Sequence, residues 1–149
     1  MGLRVTCPRR ARAGVQSQKI TVPTLEANLI LRWLLDDVPT QTEAVDLLFA
    51  QSTELVAPDV VLIEVVFVLE RVMRISCPAI SEGLHALMGR ANIKMDRSLW
   101  TEVLNHYDQL PKLSIADIFL ALQAEDRDEA PLLTFDKKLE GQMTSAELL

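Results

Sequence analysis

Between Val60 and Leu69, nine of ten residues are apolar and the tenth is Glu64. No other stretch restricts the fold so strongly. A membrane-spanning helix needs roughly 20 apolar residues, about twice this run. Read on to Met73, the run predicts a helix that is apolar nearly all round. Such a helix is buried in a core, with other elements over it. The chain has the material for that core: 149 residues, 49% of them apolar, make one ordinary domain.

The elements around this helix alternate. Ile20–Leu25 is a short β-prone segment, and Ala27–Leu35 then reads as a helix ended by Asp36, Asp37 and Pro39. Thr40 and Glu43 have the spacing of a capping box, which opens a helix to about Ala50. Leu55–Ala57 is a strand candidate, broken by Pro58-Asp59 ahead of the apolar helix. Cys77-Pro78 starts another helix, to about Arg90. Ile93–Met95 is a second buried strand candidate, and Asp96 can cap a helix to about Gln109. Ser114 opens a helix to about Glu125, and Leu132–Thr134 is the last clear strand, followed by Asp136. Short strands between helices, with no Asn-Gly hairpin signal, predict an α/β fold. The expected form is a three-layer αβα sandwich with a mainly parallel central sheet. Pro23 cannot donate to a ladder, so the first strand is expected to be short or irregular.

The net charge is −6 and unevenly placed. Residues 1–19 hold Arg4, Arg9, Arg10, Arg12 and Lys19 and no acid, so the remainder carries −11. We read residues 1–19 as a flexible basic tail and 20–149 as one domain. An acidic body argues against a protein that coats nucleic acid by charge alone. It leaves room for an enzyme that meets nucleic acid through bound metal. Cys7 and Cys77 form no C-x-x-C pair, and two histidines are too few for a Cys/His zinc site. Reduced thiols and a cytoplasmic protein are expected, with no signal-peptide apolar region at the start and no membrane span.

Four acids stand alone in apolar surroundings. Glu26 is the only charge between Ile20 and Leu31, and Glu64 the only one from Val60 to Leu69. Asp117 is the only charge from Leu113 to Ala124, and Asp136 directly follows Leu132-Leu133-Thr134-Phe135. A carboxylate in such a setting must be paired, hydrogen-bonded or metal-bound. In open α/β sheets, ligands collect at the carboxyl ends of the strands, where Glu26 and Asp136 are expected. One acidic cleft is therefore expected to gather all four. Oxygen-only ligands suit Mg2+ or Mn2+, which can activate water for displacement at phosphorus. Each acid also has a plainer reading. Asp117 completes a capping box with Ser114, Asp136 is a helix cap, Glu26 is a strand-rim residue, and Glu64 pairs with an arginine elsewhere.

The order of these motifs resembles the PIN-domain nucleases, most nearly the short bacterial VapC-type toxins. Leu25-Glu26-Ala27-Asn28 through Asp37 is similar to the family's opening motif, and Pro58-Asp59 through Leu69 to its second. Ser114-Ile115-Ala116-Asp117 through Ala121 resembles the third, and Leu133-Thr134-Phe135-Asp136-Lys137-Lys138-Leu139 the fourth. The resemblance implies a metal-dependent endoribonuclease toxin that cuts RNA with Mg2+ or Mn2+. It implies a homodimer neutralised by a small antitoxin protein. By position it assigns catalysis and metal binding to Glu26, Glu64, Asp117 and Asp136, with Asn28 and Thr134 in support. The family's first acid is usually Asp, and Glu26 replaces it here. With Pro23, that substitution also allows an impaired PIN fold that holds an antitoxin or RNA without cutting. Only eight residues follow Gly141, so the family's usual final strand is expected to be truncated or missing. A receiver-type or phosphatase domain would also use an acid after the first strand, but it leaves Glu64 unexplained.

Among the other residues, Arg32, Lys137 and Lys138 are candidate substrate contacts. His85 and His106 are expected in structural roles. Trp33, Trp100, Phe49, Phe67 and Phe119 are expected in the core or a dimer face. The remaining cations, Arg71, Arg74, Arg90, Lys94 and Arg97, are expected to be solvated.

Overall fold

Three helices among the described residues begin at a side-chain cap. Asp96 accepts a hydrogen bond from the Leu99 N–H at 3.0 Å and starts α5, Arg97–Gln109. Ser114 accepts one from the Asp117 N–H at 3.1 Å and starts α6, Ile115–Asp126. Asp136 accepts from the Lys138 and Leu139 N–H groups and starts α7, Lys137–Gln142. Each satisfies donors that a helix's first turn leaves without partners. The expected Thr40 cap is not used. In the computed structural model, which describes residues 21–149, that helix is α2, Pro39–Gln51, with Val38 at its cap position. Pro39 takes the first helical position, because it has no N–H to satisfy and its φ is already helical. Thr40 thus lies inside the helix. The basic tail at residues 1–19 lies outside the described residues.

The remaining elements follow the expected order. They are α1 (Ala27–Leu35), β1 (Leu55–Val56), α3 (Asp59–Phe67), α4 (Cys77–Met88), β2 (Ile93–Lys94), β3 (Leu132–Thr134) and β4 (Ala146–Leu148). α3 runs on into a π-helical segment, Val68–Val72. The strands pair only in parallel: β1 with β2, and β3 with β4. Thr24 adds a parallel bridge to Val56. With strands this short, the described residues form two separate two-stranded ribbons, and helices supply most of the fold. Pro23 joins through its acceptor: its carbonyl takes the Val56 N–H at 2.8 Å, while the Leu25 N–H reaches the Val56 carbonyl at 2.7 Å. The first strand is reduced to that bridge. The final strand, expected to be truncated or missing, is present as β4.

The core gathers Trp100, Tyr107, Leu62, Ile30, Leu55 and Ile93, all fully buried. Trp100 lies 5.4 Å from Phe119 between ring centroids, and Trp33 lies 5.4 Å from Phe49. Two expected surface cations turn out to be structural. The Arg90 guanidinium sits 5.1 Å from the centroids of both Trp33 and Phe49. Arg97 donates to the carbonyls of Met88, Arg90 and Ile93 and so clamps the turn between α4 and α5. Buried Tyr107 donates to Glu70 Oε2 at 2.9 Å, and burial pushes its hydroxyl pKa well above the usual value.

The helix Asp59–Phe67 departs from its sequence reading. Leu62, Val65 and Val66 are buried, but Val60 is 71% exposed, Phe67 is 58% exposed, and Glu64 is exposed between them. One side of the helix is therefore open to water. No helix among the described residues is long and apolar enough to cross a membrane.

Candidate functional site

The four acids are carried by elements that pack in series. α1 packs on α3, α3 on α6, α6 on β3, and β3 on α7. Glu26 is the residue before α1, Glu64 lies in the second turn of α3, Asp117 lies in the first turn of α6, and Asp136 lies between β3 and α7.

Glu26 is exposed, and its Oε1 accepts a hydrogen bond from Asn28 Nδ2 at 2.6 Å. Asn28 thereby fixes the carboxylate in one direction. Asp117 is half-buried, and Ser114 Oγ donates to its Oδ2 at 2.7 Å. That bond and the reciprocal one from the Asp117 N–H make the short polar lock that the Ser114–Asp117 spacing suggested. Asp136 Oδ1 caps α7, and its own N–H donates to Thr134 Oγ1 at 3.0 Å. Thr134 thus sets the backbone that presents Asp136. Glu64 makes no side-chain hydrogen bond and no ion pair among the described residues, so the expected alternative of an arginine partner is not realised there. α3 leaves Glu64 a wet face, because no described residue covers that side of the helix.

The plain reading of Asp117 and Asp136 as caps is therefore correct as far as it goes. Each cap occupies one oxygen. The other oxygen of Glu26, of Asp117 and of Asp136 accepts no hydrogen bond from any described residue. None of the four acids is ion-paired among the described residues, where the pairs are Arg32 with Asp37 and Arg71 with Glu70. Carboxylate oxygens are the ligand type that hard divalent ions take. The carboxylates do not form a finished cage: among the described residues no three His, Cys, Asp or Glu side chains stand close enough together to hold a metal ion. The single cleft expected for all four is thus not seen as a closed cluster. Like charges on neighbouring elements repel one another.

The candidate substrate contacts divide. Arg32 Nη1 lies 2.6 Å from Asp37 Oδ2, and this partner holds the Asp37 carboxyl below its usual pKa. Arg32 is therefore already engaged. Lys137 and Lys138 are exposed beside Asp136. His85 is exposed, and His106 Nδ1 contacts the Glu102 carbonyl at 2.9 Å. Sequence reasoning gave no role to Asp59, which accepts from Trp100 Nε1 at 2.8 Å across to α5. Its signal was available, since a carboxylate at the start of an apolar helix needs a donor.

The two roles of Asp136 can be separated. Asp136→Ala is expected to lower stability by about 1 kcal/mol through the lost cap. Asp136→Asn is expected to leave stability nearly unchanged, because Asn caps as well as Asp. Urea unfolding of both variants checks this.

A comparison with curated proteins gives no match. Residues 24–141 match the family model of the PIN domain. PIN domains have an αβα fold and are generally nucleases that act with divalent metal ions. That architecture agrees with the parallel strands and many helices found here. The match contains all four acids and runs from ahead of α1 into α7, and the chain belongs to the PIN-domain family.

Proposed function

We propose that the chain is a metal-dependent endoribonuclease toxin, with Glu26, Glu64, Asp117 and Asp136 as its catalytic metal site. The observation that carries this reading is the packing series. The elements that carry or adjoin the acids touch one another in turn, and the stretch that matches the PIN-domain model, residues 24–141, contains all four. Mg2+ or Mn2+ bound by these carboxylates would supply an activated water and stabilise charge at the phosphorus. The chain's own residues do the positioning. Asn28 orients Glu26, Ser114 orients Asp117, and Thr134 fixes the backbone that presents Asp136. Lys137 and Lys138 attract the phosphate backbone. Exposed Leu133 and Phe135, two residues apart beside Asp136, support a homodimer. The groove between α1 and α2, which includes Asn28, Leu29 and Val45, supports capture of a small antitoxin protein. We place the protein in the cytoplasm.

The test is RNA cleavage by purified protein with manganese, and its loss with EDTA. Cleavage that survives the chelator refutes the metal-dependent reading.

One observation favours a second reading. Glu26 stands where the family usually has Asp, and its longer side chain moves the carboxylate by roughly 1.5 Å, one C–C bond. Sites of this kind lose function with misplacement on that scale. Glu26→Asp is therefore expected to raise cleavage about tenfold, which corresponds to roughly 1.4 kcal/mol in the barrier. Comparison of initial rates in manganese decides it. No cleavage by either form supports a PIN fold that holds antitoxin or RNA without cutting.

A further inference from the structure

Beside Asp117, an open groove of about 540 Å³ runs between the end of α3, its π segment and the start of α6. We propose that this groove is a subsite for single-stranded RNA, in which Phe67 stacks on a base and Arg71 and Arg74 contact the flanking phosphates. The proposal rests on the nuclease reading, and it names the path by which the strand reaches that site.

Three observations meet here. First, the groove adjoins the proposed catalytic acid through that acid's hydrogen-bond partner. Ser114 lines it, and Ser114 Oγ is 2.7 Å from Asp117 Oδ2. Second, its wall carries an aromatic ring in water. Phe67 is 58% exposed, while its neighbours Val65 and Val66 are buried. Nonspecific single-strand sites combine such rings, on which any base can stack, with cations that follow the backbone. Third, the cations are there. Arg71 and Arg74 both line the groove and both are exposed. Arg74 makes no ion pair or side-chain hydrogen bond among the described residues. Among the described residues Arg71 contacts Glu70 only through Nε, at 3.5 Å, and its terminal nitrogens meet no acid there.

Glu70 also lines the groove and opposes an anion there. Its Oε2 is taken by the Tyr107 hydroxyl, which ties the carboxylate back to α5. The same bond anchors the π segment that carries Arg71. Widened helical turns of this kind recur at functional sites. Arg74 then leaves the helix in the left-handed region, at φ 57°, a conformation that glycine would adopt more readily. On a body that carries −11, two arginines on one wall next to an acid make a local exception to the repulsion of phosphate.

The experiment is fluorescence anisotropy with the full chain and a short labelled oligouridylate, in EDTA so that no cutting occurs. The double variant Arg71→Ala/Arg74→Ala is expected to weaken binding at least tenfold. It should also flatten the slope of log affinity against log salt by about 1.4, or about 0.7 for each lost phosphate contact. Phe67→Ala is expected to weaken binding about tenfold with the salt slope unchanged. Arg127→Ala, at the opposite end of α6 from Ser114, is expected to bind like the parent. Equal binding by parent and groove variants overturns the proposal, as does an equal loss in Arg127→Ala. Loss of RNA binding together with a change from dimer to monomer on gel filtration also overturns it, in favour of a face between copies. No measurable binding by the parent overturns it as well. The underlying reading fails separately. A parent that binds through Phe67, Arg71 and Arg74 but never cuts in manganese keeps the subsite and loses the nuclease. A parent that cuts while the groove variants bind unchanged keeps the nuclease and loses the subsite.

Discussion

Asp117→Asn is expected to lower manganese-supported RNA cleavage about a thousandfold, which corresponds to about 4 kcal/mol of transition-state stabilisation. The substitution is nearly isosteric. The amide oxygen of Asn can still accept from Ser114 Oγ, and the backbone bond from residue 117 to Ser114 is untouched. What disappears is a negative charge, which a divalent ion needs and a helix cap does not. The charge also sits in the first turn of α6, where it meets the positive end of the helix dipole. Its loss there is expected to cost about 0.5 kcal/mol of stability. Activity should therefore fall far more than folding does. Measuring cleavage rate and urea midpoint on the same preparation separates the two. A variant that cuts at the parent's rate removes Asp117 from the site.

Trp100→Ala should have the largest effect on folding. Trp100 is 0% exposed, stacks near Phe119 and gives its indole N–H to Asp59. Truncation leaves a cavity where α5 meets α6 and an unsatisfied carboxylate at the start of α3. Large aromatic-to-alanine changes in a core cost about 4 kcal/mol. A domain of this size is stable by only about 5–15 kcal/mol, so a large part of its margin would go. Trp100→Phe keeps most of the apolar contact and loses the donor, and about 2 kcal/mol is expected. Denaturant unfolding measures both. A cost below about 1 kcal/mol for the alanine variant would mean that the α5–α6 contact is not the main core.

Most of the fold was legible because local chemistry determined it. Asp96, Ser114 and Asp136 each stand one residue before a helix and cap it, and their side chains carry that signal without help from the rest of the chain. Pro23 was readable for a similar reason: a missing N–H is a property of the residue itself. The failures lie where tertiary context decides. Thr40 had the capping spacing, but Pro39 had already set the first turn. Arg90 and Arg97 looked like solvated cations because sequence cannot show which carbonyls or rings will stand around them. The side of α3 that bears Val60, Glu64 and Phe67 looked buried because hydropathy records what a helix prefers, not what is available to cover it. The candidate site reads in the sequence only as a list of acids in order. Their separation was not legible, because it depends on how neighbouring helices cross.

The parallel pairing of the strands has a kinetic consequence. Strand β2 can reach β1 only after the chain has run out through α3 and α4 and returned, and β4 can reach β3 only after α7 has turned. Each ladder therefore closes a loop whose entropy is lost before its few backbone bonds are gained. The contact between α5 and α6 needs no such return, because these helices are neighbours in the chain. Adjacent helices are therefore expected to associate ahead of the strands, and the β1–β2 ladder, which joins Leu55 to Ile93, closes a longer loop than β3–β4, which joins Leu132 to Ala146.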